Sequence, residues 1–116
     1  MNSEKSEHRI QSECFVWWHN TYPQYRKRLA YNHANSRNPI EGNKNKALGL
    51  IKGRSDFSFY FNKTAYFLEC KTETGKQSPD QKEWQSIMEG DGYEYHIFTS
   101  LEEFKIIITK IIHGNN

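Results

Sequence analysis

A chain of 116 residues is long enough for one domain with a buried core and too short for two. With 35% hydrophobic and 15% aromatic residues it carries too many large apolar anchors to stay disordered, and no apolar run approaches the ~18 residues of a membrane-spanning helix. Residues 1–7 (MNSEKSE) lack the apolar segment of a secretory signal, and two cysteines, Cys14 and Cys70, are too few for a disulfide framework or a zinc site. A cytoplasmic protein without membrane association is therefore expected. The formal net charge of +2 conceals an uneven distribution: residues 24–63 hold nine basic side chains against Glu41 and Asp56, a net +7, and the remainder is −5. Such asymmetry fits a polyanionic partner, most simply nucleic acid; the alternative is a solvated basic loop.

In chain order, Ile10, Cys14, Phe15, Trp17 and Trp18 recur at three- and four-residue spacing, which predicts an amphipathic helix from Glu7 to His19. Arg26 to Tyr31 adds a turn or a strand after Pro23. Residues 32–46, dense in Asn, Gly, Pro and Lys, read as a long polar loop with room for a short helix leading into Ala47. Phe57, Phe59 and Phe61 alternate with Ser58 and Tyr60, a strand pattern, and Ala65–Lys71 forms a second strand after a tight turn. Ser78, Pro79 and Gln81 have the order of a capping box, opening a helix with Trp84, Ile87 and Met88 on one face. Tyr93–Thr99 is a third strand. Ser100 and Glu103 open a last helix whose inward stripe is Leu101, Phe104, Ile107, Ile108 and Ile111. The order α-β-β-α-β-α predicts an α/β fold, a small mixed sheet flanked by helices, as one domain over 1–116 with a structured core of about 7–112.

The chemistry concentrates on the hairpin. Glu69 and Lys71 are two apart and so project from one face of their strand. If Asn62-Lys63 is the hairpin loop, Asp56 falls opposite Glu69, with Cβ atoms about 5 Å apart. Two carboxylates that close repel each other unless a cation lies between them, and hard oxygen ligands suit Mg²⁺ or Mn²⁺. A neighbouring lysine helps hold a water and offsets charge on a phosphate. The plainer alternative is a turn-forming Asp and an exposed Glu-x-Lys strand face. Cys70, between Glu69 and Lys71, points to the other face as a small core residue.

The longer string around these residues is Gly49-x-x-x-Gly53-x-x-Asp56-Phe57, followed by Phe67-Leu68-Glu69-Cys70-Lys71-Thr72-x-x-Gly75-x-x-Ser78-x-x-Gln81-x-x-Trp84. It resembles the VRR-NUC family of the PD-(D/E)xK nuclease superfamily, from about Glu7 to about Ile112. The resemblance implies that Asp56 and Glu69 bind the metal, that Lys71 completes the catalytic motif, and that Gln81 is an accessory polar residue; the alternative role for Gln81 is the capping box alone. It also implies a first-helix glutamate among the catalytic and metal-binding residues. Glu7, on the inward face, is preferred to Glu13. Ser55 stands where the superfamily name advertises proline, a position that shapes backbone and brings no ligand. On this reading Asn35, Arg37, Lys44, Lys46, Lys52 and Arg54 contact phosphates beside the site. The expected function is a Mg²⁺- or Mn²⁺-dependent DNA endonuclease acting on branched or junction DNA, as a homodimer joined through Tyr22, Tyr25, Tyr31 and the last helix. A non-catalytic nucleic-acid-binding module and a nuclease acting on RNA are the alternatives.

Overall fold

The computed structural model describes residues 4–32 and 39–114. Helix α1 (Glu7–Thr21) opens at Ser6, whose hydroxyl accepts the amide of Arg9 at 3.1 Å. Its buried face is Ile10, Cys14 and Trp18. A 3₁₀ turn over Pro23–Arg28 then leads into β1 (Leu29–Tyr31), so the segment Arg26 to Tyr31, expected as a turn or a strand, holds the end of the turn and a fourth strand. Three residues are too few for alternation to show in a sequence, so this strand is set by its partner and not by its own pattern. Helix α2 (Pro39–Ala47) occupies the latter part of the polar stretch.

β2 (Phe57–Phe61) and β3 (Thr64–Cys70) form the expected hairpin. Asn62 and Lys63 both have positive φ, 54° and 63°, which turns the chain in two residues with a twist that matches the strands. Phe57 accordingly faces Leu68 and Phe61 faces Thr64, the register of a two-residue loop. Helix α3 (Pro79–Gly90) crosses back so that β4 (Glu94–Phe98) lies parallel to β3, and α4 (Leu101–His113) follows. The sheet order is β1-β2-β3-β4, antiparallel except for its last pair.

Helices α1 and α4 cover one face, over a core that includes Trp18, Phe59, Leu68, Phe98 and Phe104. The other face is covered more thinly, by Trp84 against Phe67 and Tyr95, with Met88 beside them. That thin cover explains one departure from expectation. Trp84 alone fills most of the contact, so Ile87 lies at the margin, 51% exposed. Because both faces are covered near its start, β2 buries Ser58 as well as Phe57 and Phe59, and its alternation is one of side-chain chemistry more than of exposure.

Candidate active site

Glu69, next to last in β3, is fully buried. Its Oε1 accepts hydrogen bonds from the Tyr95 hydroxyl and, at 3.1 Å, from Gln77 Nε2. Its Oε2 is buried with no hydrogen-bond partner. Lys71 continues the strand direction, its amide donating to the Phe98 carbonyl at 3.0 Å. Its ammonium donates to Gln81 Oε1 at 2.8 Å and stands 3.8 Å from Glu69 Oε2. The two-residue spacing thus sets both charged groups on the α3 side of the sheet.

Asp56, one residue before β2, accepts the amide of Cys70 at 2.6 Å. Its backbone is held from the β1 side: the Asn32 amide donates to its carbonyl at 2.8 Å, and Asn32 Nδ2 donates to Ser55 O and Ser58 Oγ. Ser55, fully buried, donates its hydroxyl to the Phe57 carbonyl at 3.0 Å. The bend before Asp56 is therefore held by hydrogen bonds where a proline ring was the alternative. Burial, above all, pushes the Asp56 carboxyl up, and the nearby acids Glu7 and Glu69 act in the same direction. The Cys70 amide and Lys71 pull it down, leaving it at about 6 against an ordinary 3.8.

Glu7 begins α1, and its carbonyl accepts the Cys70 thiol at 3.6 Å. It lines, with Asp56, a cleft of about 540 Å³ between the start of α1 and the ends of β1 and β2. Glu13 points elsewhere, held by Lys5 at 3.0 Å and Arg9 at 3.8 Å. Of the two first-helix acids, Glu7 is the one beside Asp56. Among the described residues no group of three or more His, Cys, Asp and Glu side chains is gathered to hold a metal ion, so Glu7 flanks the Asp56–Glu69 pair without closing a cage. The pair itself fits a hard divalent cation: one oxygen of Glu69 is buried and accepts no hydrogen bond, and burial, with Glu7 and Glu69 nearby, makes Asp56 resist ionisation.

Gln81 serves both roles considered for it. Its Oε1 accepts the Ser78 amide at 2.8 Å, completing the capping box, and accepts the Lys71 ammonium at the same distance. The geometry of α3 is tied to this. The Lys52 ammonium lies 3.6 Å from Asp80 Oδ2, and Gly53, at φ 88°, lets its backbone approach so closely that a Cβ would sit 2.4 Å from the Asp80 carbonyl carbon. Lys52 is thus engaged by an acid, while Lys44 and Lys46 are exposed on α2 and Arg54 is half-buried before Asp56. Asn35 and Arg37 lie outside the described residues.

Two site residues escaped the sequence reading, Tyr95 and Gln77. Tyr95 sits on a parallel strand, whose register no hairpin rule gives. Gln77 did leave a signal, since Gln77, Gln81 and Gln85 recur every four residues; Gln77 Nε2 bridges to Gln85 Oε1 at 2.7 Å.

No family model and no curated protein sequence matches the chain. A solved structure does: a VRR_NUC domain protein, 17% identical, superimposes with a TM-score of 0.77 over 97% of this chain and 92% of its own. At that identity the likeness speaks to architecture, and the chain has the fold of a VRR_NUC domain protein.

Proposed function

We propose that the protein is a metal-dependent DNA endonuclease, hydrolysing phosphodiester bonds with Asp56, Glu69 and Lys71 and selecting branched DNA. The observation that carries this reading is the buried Oε2 of Glu69, which accepts no hydrogen bond, with Lys71 beside it and Asp56 held on the amide of the next residue, Cys70. Mg²⁺ or Mn²⁺ held by the two carboxylates, with Glu7 next to them, would supply Lewis acidity that activates water and offsets charge building on the phosphate. The protein's own part is positional. Tyr95 and Gln77 fix Glu69 through one oxygen and leave the other open, and the Cys70 amide fixes Asp56. Gln81 holds the Lys71 ammonium, three-donor and nearly buried, where it can donate to a phosphate oxygen or to the attacking water. The exposed Lys44 and Lys46 give α2 a positive surface suited to the phosphate backbone.

The proposed homodimer would place two sites about a two-fold axis, as two symmetric cuts in a four-way junction require. Its expected interface material is partly spent within the monomer: Tyr22, Tyr25 and Ile112 pack against the core, while Tyr31 and Ile106 stay exposed. Labelled duplex, four-way junction, flap and RNA substrates, incubated with Mg²⁺, Mn²⁺ or EDTA, test the reading. Cutting should require the cation and be abolished in Asp56→Ala, Glu69→Ala and Lys71→Ala. Wild-type rates in Glu69→Ala would overturn it, and light scattering at micromolar concentration decides the dimer.

A further inference from the structure

We propose that the cleft beside Asp56 is a stacking subsite for a single unpaired nucleobase, so that the substrate is a nucleic acid with an unpaired nucleotide next to the scissile phosphate. The inference rests on the nuclease reading for what lies next door, but the stacking needs no cleavage. The cleft's size, about 540 Å³, is that of a small-ligand site. Its rim carries two aromatic rings that bury little in the protein: Phe15 on α1 is 43% exposed and Tyr31 on β1 is 62% exposed. Tyr31 is set by the sheet. Tyr31 faces Phe57 across the β1–β2 ladder, and the next residue, Asn32, donates its amide to the Asp56 carbonyl. The ring is thus held one step from the residue that marks the site.

Charge decides what the cleft accepts. Glu7 and Asp56 both line it, so without a cation a phosphate would meet two acids there, whereas a neutral, flat heterocycle would not. Gln11 and Ser12 line the same wall of α1 and bring an amide and a hydroxyl that can pair with the edge of a base. Aromatic faces with polar groups at their margin are the general means of holding unpaired bases, tolerant of sequence because every base has a π-face. A base inside a continuous duplex is already stacked on both sides and cannot enter without being turned out.

The test is binding of a short single strand carrying one 2-aminopurine, read in EDTA by anisotropy and by the quenching of the probe on stacking. Wild type should quench it. Phe15→Ala and Tyr31→Ala should each lose the quench and bind about 5- to 150-fold more weakly, while Tyr31→Phe keeps both. Blunt duplex binding should be weaker in the wild type and indifferent to the alanine changes. Unchanged affinity and quenching in both alanine variants, or blunt duplex bound as tightly as single strand, would overturn the proposal. Glu69→Ala separates the two readings: if it still cuts, the nuclease reading fails while the quench stands. If it is inactive and the wild type cuts without quenching the probe, the stacking subsite alone fails.

Discussion

A carboxylate that resists ionisation costs stability when it is forced to carry its charge. Asp56 titrates in the folded chain near 6, above its ordinary 3.8, so the native state holds the proton more tightly than the unfolded one. Stability from this group is therefore full below about pH 4 and is lost as pH rises through 6, a loss of at most about 3 kcal/mol. In EDTA, Asp56→Asn should have a higher urea midpoint than wild type at pH 7.5, with the gap closing by pH 4. Adding Mg²⁺ should then stabilise wild type and not the variant. A lower midpoint for Asp56→Asn at both pH values would contradict this account. Tyr95→Phe tests the other carboxylate: deprived of the hydroxyl on Oε1, Glu69 should lose about 10- to 100-fold in metal affinity or cleavage rate, measured by Mn²⁺ titration and gel assay. At this scale the sequence was legible where local rules operate. The hairpin register, Phe57 against Leu68, follows from a two-residue turn, and the pairing of Gln81 with Ser78 from a capping box. Tyr95 was illegible because the length and packing of α3, not a turn, set where β4 stops against β3.

Among the elements, the docking of α3 is the arrangement on which the site's geometry depends. Gly53 meets the backbone of Asp80 with no room for a side chain and at a φ that disfavours one. Gly53→Ala should shift the start of α3, withdraw Gln81 from Lys71, and cost about 1–3 kcal/mol, the usual penalty of overpacking. A thermal melt combined with a cleavage assay checks both effects; unchanged stability and rate would mean the loop and helix adjust together. The helices α1, α3 and α4 were legible from apolar periodicity and caps, and the hairpin from alternating aromatics. β1 was legible only as a turn or a strand, because its three residues owe their conformation to pairing with the neighbouring strand. Ile87 misled for a related reason: periodicity reports which face is apolar, not how much sheet lies beneath it.

For the molecule as a whole, formal charge overstated what is offered to a polyanion. Within the basic stretch, Arg26 donates to the His19 carbonyl, Arg28 lies 5.4 Å from the Tyr25 and Phe61 ring centres, and Lys52 faces Asp80. Counting charges along a chain cannot tell such structural cations from those aimed at a ligand. No helix among the described residues is long and apolar enough to cross a membrane, as the composition implied.

The two cysteines are both fully buried in the larger core, with burial pushing the Cys14 thiol up to about 12 and the Cys70 thiol up as well. Neither exists as the reactive thiolate in the closed protein at neutral pH. Attack by a thiol-specific reagent must wait for the chain to open, so the rate of labelling becomes a clock for how often it does so. Cys70 sits between Glu69 and Lys71, which makes that clock read the very strand on which cleavage is proposed to depend. A cation that binds the native state there should slow the labelling of Cys70 in proportion to its occupancy, giving its affinity without any nucleic acid in the tube.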